Sequence, residues 1–358
     1  MPSTTAVPTS DAATLLDKLR SNLESVLLGK SDVIQLAMVA LLAEGHILIE
    51  DVPGVGKTLL AKALARSLSC TFHRIQFTPD LLPSDLIGTS VFHQPSGMFV
   101  FNPGPLFAQV ILADEINRAT PRTQSALLEA MSDRHVSVDG QTRPLGPPFI
   151  VLATQNPFEF EGTYPLPESQ FDRFMLRLKI GYPSRDSEKD ALVQHRQGEP
   201  VEKLGPVLGT AEVIALQHKV RQVRFEERLH DYLLDIVEAT RNNPQVLLGA
   251  SIRAGLGLYR ASQALALLDG RNYVIPDDIK HLAVPVLGHR LLMKSLRTQL
   301  GKDAADQFLQ DVLSKTNVPV QQGHLAGSNP FSTGCESKQR CAFPELPIPS
   351  RGRAFFGC

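Results

Sequence analysis

The chain has 358 residues, 43% of them hydrophobic, which is enough apolar material for a large domain plus a smaller one. Its 36 Lys and Arg residues are balanced by 37 Asp and Glu residues. This balance excludes the strong positive field that drives non-specific binding to nucleic acid, although a local basic groove remains compatible with it. The chain lacks a run of about 18 apolar residues and an N-terminal signal pattern, so we expect a cytoplasmic protein without membrane insertion.

The cysteines do not form the pattern of a disulfide framework. Only four are present, Cys70, Cys335, Cys341 and Cys358, and three of them lie in the C-terminal segment. This usage fits a reducing compartment. Cys335 and Cys341 could join a metal site, but no His or Cys partners stand at ligand spacing, and free thiols are the simpler interpretation.

The first half of the chain predicts an α/β domain, over residues 11–182, after a disordered N-terminus at 1–10. Apolar residues recur at helical spacing from Leu15 to Leu27, and a second helix is predicted over about 32–43. Short apolar runs then alternate with helical or turn-rich segments, as a buried parallel sheet requires. The five predicted strands are 46–49, 73–77, 109–113, 149–153 and 174–180.

Two inserted hairpins interrupt this pattern. Residues 91–101 carry two β-like stretches around Gln94-Pro95-Ser96-Gly97. Residues 134–143 do the same around Asp139-Gly140, a favoured hairpin turn. Both segments lie between core elements, so we interpret them as insertions into the domain.

After Pro183 we expect no further strands, and the sequence predicts a small all-helical domain over 183–316. A Gly- and Pro-containing loop at 198–209 connects its parts. From Asn317 to Cys358 Pro, Gly, Ser and Cys accumulate without periodicity, which predicts a disordered tail. The helical patterns cover about 184–197, 210–222, 227–242, 251–268 and 276–293.

A phosphate-binding loop is the strongest motif. The segment Asp51-Val-Pro-Gly-Val-Gly-Lys-Thr58 follows a predicted strand and precedes a helical run. Its glycines allow backbone amides to point at phosphate oxygens, Lys57 would reach the β- and γ-phosphates of ATP, and the Thr58 hydroxyl would bind Mg²⁺. Asp51 stands where the motif usually begins with Gly, which we expect to alter the entry of the loop. The predicted nucleotide-binding residues are Pro53, Gly54, Val55, Gly56, Lys57, Thr58 and Leu59.

An acidic pair supplies the second half of this site. The run Val110-Ile-Leu-Ala-Asp-Glu115 is an apolar strand that ends in two carboxylates, where ligands bind in open α/β sheets. Asp114 would hold the Mg²⁺ shell, and Glu115 would orient and deprotonate the attacking water. Taken alone, such a pair is more often the start of a solvated loop, but the phosphate-binding loop favours the functional interpretation.

Together these motifs resemble AAA+ ATPases, and in detail the MoxR family, over about residues 15–316. The segments ILADEINRA, LLEAM, ATQNP, LPESQFDRF and GASIRAGLGLYRA carry the resemblance. The two hairpins agree with the helix-2 and pre-sensor-1 inserts of that clade. The resemblance implies a five-stranded parallel sheet with a helical lid, and a ring-shaped homo-oligomer, expected to be a hexamer.

The resemblance also assigns three further site residues. Asn156 resembles sensor 1, whose amide can bind the γ-phosphate and the attacking water; capping of a turn before Pro157 is the alternative. Arg173 resembles the arginine finger that enters the neighbouring subunit's site, and a salt bridge with Asp172 or Glu168 is its alternative. Arg253 resembles the sensor-2 arginine that touches the γ-phosphate, although Ile252 precedes it where the family usually has Pro. Nothing in the sequence decides whether Arg118 and Arg122 lie at a subunit interface.

The resemblance implies chaperone-like remodelling of a client protein, often a metalloenzyme and commonly with a partner that contains a von Willebrand factor A (VWA) domain. Two alternatives stay open at this point. A nucleic-acid motor would use the same ATP site, but the near-neutral charge and the lack of a DNA-binding module speak against it. A nucleotide-switched scaffold would bind ATP without turnover, for which Asp51 and Ile252 are the only indications.

Overall fold

The computed structural model describes residues 9–156, 163–196, 198–294 and 299–319. Most of the disordered N-terminus and tail predicted from the sequence, and Cys335, Cys341 and Cys358, lie outside these residues. The strands are β1 (Ile47–Glu50), β2 (Phe72–Gln76), β3 (Gly88–His93), β4 (Met98–Pro103), β5 (Val110–Asp114), β6 (His135–Val138), β7 (Gln141–Pro144), β8 (Ile150–Gln155), β9 (Leu176–Leu178), β10 (Val246–Leu248) and β11 (Leu292–Met293).

The helices alternate with the strands in the first half of the chain and dominate the second half. They are α1 (Thr9–Glu24), α2 (Ser31–Leu42), α3 (Lys57–Ser67), α4 (Pro83–Ile87), α5 (Pro121–Asp133), α6 (Glu168–Phe171), α7 (Arg185–His195), α8 (Thr210–Val220), α9 (Glu227–Arg241), α10 (Ile252–Leu268), α11 (Pro276–Leu287) and α12 (Gln299–Lys315). Short 3₁₀ helices lie at Pro105–Phe107, Ile116–Arg118, Pro200–Lys203 and Gly288–Arg290.

The central sheet has five strands in the order β2-β5-β8-β1-β9, and every pair in it is parallel. All five strands were predicted from their apolar runs, and the α/β fold class is confirmed. Because the strands are parallel, the residues that follow β1, β5 and β8 emerge at one edge of the sheet. The phosphate-binding loop follows β1, the acidic pair lies at the end of β5 and Asn156 follows β8, so all three lie at this carboxyl edge.

Successive residues of each strand point to opposite faces of the sheet and pack into two separate hydrophobic cores. Ile47, Ile49 and Leu112 belong to the core on one face, with α1, α2 and α3, whereas Leu48 and Ile111 belong to the other, with α5. The first core continues without a break into α8, α9, α10 and α11. The α/β and helical regions therefore pack as one compact unit, which ends at Pro319.

Helix α2 joins the two regions. Eight of its twelve residues are buried, from Val33 to Leu42. A helix that is apolar on nearly all sides must be enclosed, and α2 contacts β9 on one side and α8 and α10 on the other. The boundary that the sequence predicts after residue 182 remains a prediction.

Both inserted hairpins are present. β3 pairs antiparallel with β4, from Gly88↔Pro103 to His93↔Met98, and β6 pairs with β7 across the Asp139-Gly140 turn. Asp139 and Gly140 both have positive φ, 52° and 74°, as this turn type requires. The two hairpins contact each other through the Ser90 hydroxyl, which donates to Asp139 Oδ2 at 2.5 Å.

The helical region differs from the prediction in three details, the first being helix α12, which lies beyond the last predicted helical segment. The expectation that strands stop after Pro183 was wrong for β10 and β11, which form a short antiparallel pair. The helix predicted over 276–293 ends at Leu287, where Pro285 has already removed one backbone donor and Gly288 follows. His289 and Arg290 then turn inward, and both donate to the Phe174 carbonyl. None of the helices in the described part of the chain is long and apolar enough to cross a membrane.

Candidate functional site

The phosphate-binding loop joins β1 to α3 at the carboxyl edge of the sheet. Gly54 and Gly56 have φ of 85° and 98°, in the left-handed region that favours glycine. A Cβ atom added at either position would meet no heavy atom within 4 Å. The backbone conformation, rather than crowding, therefore requires glycine, and the space above the loop is open to a ligand. Gly56 caps α3 without a side-chain acceptor, so the first amides of the helix are available to an anion.

Lys57 is the first residue of α3, and its ammonium donates to the Asp51 carbonyl at 2.6 Å. Burial lowers the pKa of Lys57 from its ordinary value, while the carboxylates of Asp51, Asp114 and Glu115 act in the opposite direction. Lys57 thus lies close to three acids and half inside the protein. A cation in this position would bind phosphate more strongly than one in bulk water.

Asp114 ends β5 and is held by two neighbours. Thr154 on β8 donates its hydroxyl to Asp114 Oδ1 at 2.6 Å, and Arg74 on β2 contacts Oδ2 with Nη2 at 2.6 Å and with Nε at 3.1 Å. The sequence analysis missed both residues. Thr154 is a polar residue that follows four apolar ones in β8, and that pattern could have identified it. Arg74 instead lies in a strand that also contains His73 and Gln76 and gives no such signal.

Glu115 follows Asp114 in a left-handed conformation, with φ of 56°. Such backbone costs about 1–3 kcal/mol for a residue other than glycine and is concentrated at functional sites. Its amide donates to Thr154 Oγ1 at 2.8 Å, and its Oε2 atom accepts from both Gln76 and Arg118 at 2.9 Å. Arg118, left undecided by the sequence, therefore pairs with Glu115 within the same chain.

These residues surround one cavity of about 540 Å³, a size typical of sites for small ligands. Of the predicted nucleotide-binding residues, only Val55 is absent from its lining, since its side chain packs against the core. The structure adds residues from β2, α3 and the segment after α7 that the sequence analysis missed. The lining consists of Pro53, Gly54, Gly56, Lys57, Thr58, Leu59, Lys62, Arg74, Asp114, Glu115, Asn156, His195, Glu199 and Val201. We call it the nucleotide cavity.

The donor set of the nucleotide cavity suits Mg²⁺. Thr58 and Asp114 both line it, and hydroxyl and carboxylate oxygens are the ligands that this ion prefers. No group of three or more His, Cys, Asp or Glu side chains in the described residues could hold a metal ion alone.

Arg173 and Arg253 line a different cavity, of about 260 Å³. Five arginines and two carboxylates contribute to its wall, so its charge is strongly positive. The charged residues are Arg134, Arg173, Arg253, Arg260, Arg290, Glu44 and Asp172. We call it the arginine cavity.

Arg173 is anchored through one end of its guanidinium group. Nη1 donates to the Leu128 carbonyl at 2.6 Å and to Ser132 Oγ at 3.1 Å, both on α5. Asp172 is instead engaged by Ser251 and Arg290. Among the described residues Arg173 forms no salt bridge with Asp172 or Glu168, the two partners of the alternative interpretation.

Asp172 connects this anchor to the helical region. Both of its carboxylate oxygens accept from the Ser251 hydroxyl at 2.9 Å, and Ser251 Oγ also accepts from the Ala254 amide at 3.0 Å. Ser251 is thus the N-cap of α10, which begins at Ile252 and places Arg253 in its first turn. The Ser251 cap starts the helix although Ile252 replaces the usual Pro.

Arg290 forms the buried floor of the arginine cavity. It is 7% exposed, and its Nη2 atom donates to the Phe174 carbonyl at 2.6 Å. Burial lowers the pKa of Arg290 to about 10; nearby Asp172 raises it and nearby Arg253 lowers it. Arg290 therefore stays a cation at neutral pH. Its Nη1 atom is buried without a hydrogen-bond partner among the described residues.

The two cavities lie at opposite ends of β1 and β9. The arginine cavity is lined by Gly45 and His46 before β1 and by Met175 before β9, whereas the nucleotide cavity begins at Pro53 after β1. The four residues of β1 alone span roughly 13 Å at about 3.3 Å per residue. Neither Arg173 nor Arg253 lines the nucleotide cavity of its own chain.

Comparison with known proteins agrees with this architecture. A family model described as "ATPase family associated with various cellular activities (AAA)" matches residues 46–176, and an AAA lid domain matches residues 238–312. The crystal structure of a candidate ATPase from Cytophaga hutchinsonii superposes with a TM-score of 0.80 at 36% identity, and the match covers 87% of this chain and 97% of that one.

Curated relatives define the family further. The uncharacterised protein YeaC of Bacillus subtilis is 47% identical over 87% of this chain and 97% of its own length. Chaperone MoxR1 of Mycobacterium tuberculosis is 41% identical over 86% of this chain and 85% of its own length. The protein is an AAA ATPase by fold and site. Within that class, the chain belongs to the MoxR family.

Proposed function

We propose that this protein hydrolyses ATP at the boundaries between the subunits of a ring and uses the resulting motion to remodel a client protein. The observation that carries the proposal is the separation of the two cavities. The nucleotide cavity has the loop, the acids and Asn156, but the two arginines expected at the γ-phosphate lie at the opposite end of β1. A second copy, docked with its arginine cavity against the nucleotide cavity, would complete the site.

In this proposal each residue keeps the role that its chemistry suits. Lys57 and the amides of Gly54 to Thr58 bind the phosphates, and Thr58 and Asp114 hold Mg²⁺, which would neutralise charge on the phosphate oxygens. Glu115 takes a proton from the attacking water, which Asn156 orients. Arg173 and Arg253 of the neighbouring subunit stabilise the charge that develops on the transferred phosphoryl group.

The structure supports Glu115 as a base that is restrained before reaction. Gln76 and Arg118 both donate to its Oε2 atom, so this oxygen is occupied while Arg118 keeps its charge close by. With two donors on Oε2, that oxygen is engaged within the protein rather than turned towards a water molecule. In our proposal Glu115 becomes an effective base when one of these two contacts is released.

The chaperone-like part of the proposal rests on similarity. The relative from M. tuberculosis is named a chaperone, and 41% identity over most of both chains supports a comparable role here. We extend this to a hexameric ring, a protein client such as a metalloenzyme, and a partner with a VWA domain. The hinge for such work would lie between the α/β core and the helical region.

The experiment that tests the proposal is Mg²⁺-dependent ATP hydrolysis by the full chain across a range of protein concentrations. If the site is shared, the specific activity rises with concentration and parallels assembly measured by sedimentation on the same samples. A specific activity that is constant through the dissociated range would contradict a shared site. Nucleotide binding without turnover at any concentration would instead favour a nucleotide-switched scaffold.

A further inference from the structure

We infer that Asp51 is a positioning residue that links the phosphate-binding loop to the first segment of the helical region. The sequence marks Asp51 only as a departure from the usual glycine. The structure places its carboxylate between two backbone segments that are 129 residues apart along the chain. This inference rests on the proposed ATPase function and adds the route by which the bound nucleotide acts on the helical region.

The first half of the link lies inside the loop. The Asp51 carbonyl accepts from the Lys57 ammonium at 2.6 Å, and its Oδ1 atom accepts from the Val52 amide at 2.8 Å. Lys57 is also the residue that would bind phosphate oxygens. A phosphate that attracts the Lys57 ammonium therefore breaks its hydrogen bond to the Asp51 carbonyl. The backbone of Asp51 is then free to shift.

The second half of the link crosses to the end of β9. Asp51 Oδ2 accepts from the amides of Ile180 and Gly181 at 2.7 and 2.6 Å. Hydrogen bonds from amides to a carboxylate are about twice as strong as those between neutral groups. Gly181, beside this carboxylate, has φ of 65°, a left-handed conformation that glycine adopts readily because it has no Cβ. With Gly in place of Asp51, the same amides would have no side-chain acceptor.

The held turn leads straight back to the nucleotide cavity. Three residues after Gly181, Ser184 caps α7, and α7 ends at His195, which lines that cavity together with Glu199 and Val201. Asp51 thus holds the turn at Gly181, and the segment that starts there reaches the wall of the nucleotide cavity at His195. A shift of the loop on nucleotide binding would be passed to α7 through two hydrogen bonds to one oxygen.

Lys30 provides a matched control, because it holds the same turn without touching the loop. Its ammonium donates to the carbonyls of Ile180 and Tyr182 at 2.6 and 2.8 Å. Substitution of Lys30 therefore loosens the turn from the other side. Any effect specific to Asp51→Ala, and absent from Lys30→Ala, comes from the connection to the loop rather than from the stability of the turn.

The test is hydrogen exchange of the full chain with and without a slowly hydrolysed ATP analogue and Mg²⁺, alongside ATP affinity and kcat. In the wild type, the analogue changes exchange over residues 180–196. In Asp51→Ala this response is absent and kcat falls about tenfold, the size expected when one link of a coupling network is removed, while ATP affinity is largely kept. Lys30→Ala keeps both the response and kcat.

Asp51→Asn serves as a second variant if Asp51→Ala does not fold. An amide retains one acceptor oxygen and presents a donor at the other position, so we expect a response between those of wild type and Asp51→Ala. A wild-type response in either Asp51 variant would overturn the inference, as would equal losses in Asp51→Ala and Lys30→Ala. Failure of the proposed function is distinct, because the wild type itself would then show no turnover although exchange could still report its binding.

Discussion

The nucleotide cavity and the arginine cavity lie at the two ends of the same strands, and their chemistry is opposite. The first mixes Lys57 and Arg74 with Asp114 and Glu115, and Arg74 pairs with Asp114 at 2.6 Å. The second gathers five arginines around two carboxylates, and Arg290 has a buried nitrogen without a hydrogen-bond partner in the described part of the chain. The first balances its cations with carboxylates of the same chain, whereas the second has an excess of positive charge that an anion from outside would balance.

The largest expected effect comes from removing a cation in the arginine cavity. Arg173→Ala should lower kcat by about 10³ to 10⁵ if this guanidinium acts on a neighbour's phosphoryl group. ATP binding measured by calorimetry should stay close to wild type, because Arg173 lies outside the nucleotide cavity of its own chain. Arg228→Ala, on the exposed side of α9, is the control for loss of one surface arginine. A wild-type rate for Arg173→Ala would remove the arginine finger from our proposal.

Loss of the base in the nucleotide cavity should come next. Glu115→Gln is expected to lower kcat by about 10² to 10⁴, because general base catalysis is lost while the shape of the site is kept. This variant should still bind ATP in the same calorimetric titration. Lys57→Ala is the comparison that should lose binding as well, since the main contact to the phosphates is removed.

Mixing these two inactive proteins separates a shared site from one within a single chain. In a ring formed from equal amounts of Arg173→Ala and Glu115→Gln, about a quarter of the interfaces combine an intact nucleotide cavity with an intact arginine cavity. The mixture should therefore regain ATPase activity after the subunits exchange. If no activity returns despite exchange, the two cavities do not act together across an interface.

A smaller effect is expected from the residue that connects α6 to α10. Asp172→Asn removes the charge that faces Arg290 and weakens the hydrogen bonds from Ser251, so Arg253 should be held less firmly. We expect kcat to fall about tenfold, in the range of effects from a misplaced catalytic group. Ser251→Ala should resemble Asp172→Asn in kinetics if the contact acts by positioning Arg253. A loss of ATP affinity without a change in kcat would contradict this role.

The smallest effect on activity at neutral pH is expected at His46, on the wall of the arginine cavity; this residue instead governs how stability depends on pH. His46 is buried, its Nδ1 atom accepts from the Val151 amide, and its Nε2 atom faces the Met131 carbonyl, so the neutral ring is favoured. Burial lowers the pKa of His46 to about 4; the hydrogen bond with the Met131 carbonyl opposes this shift, and the charge of Arg134 adds a smaller part of it. In the unfolded chain His46 binds a proton as the pH falls below about 6.5, whereas in the folded chain it stays neutral until about pH 4. The free energy of unfolding therefore decreases by on the order of 3 kcal/mol as the pH drops from 6.5 towards 4.

Urea denaturation of the wild type and His46→Gln at a series of pH values checks this sign. The variant should be less stable at pH 7.5, but its free energy of unfolding should fall less steeply below pH 6.5. His289, whose pKa burial also lowers, remains in the variant and keeps part of the slope. His218→Gln, at an exposed position of α8, is the control for loss of one histidine. An equal slope in His46→Gln would show that His46 does not carry this dependence.

The amino-acid sequence by itself determined the parallel sheet, the two hairpins and the residues of the phosphate-binding loop. These features depend on local patterns: strands apolar on both faces, a favoured Asp-Gly turn, and glycines directly before a helix. Sequence patterns also placed Asp114 and Glu115 correctly at the end of β5. The roles of these side chains remain predictions.

Only the tertiary structure decided which residues share a cavity. Arg74 and Thr154 reach Asp114 because β2 and β8 flank β5 in the sheet, an order that the sequence does not state. Beyond the end of α11, His289 and Arg290 turn towards a carbonyl more than a hundred residues away along the chain. Arg173 and Arg253, 80 residues apart along the chain, line one cavity because α10 packs beside the segment that follows α6. Contacts between distant segments follow from how the layers pack, and local periodicity carries no information about that packing.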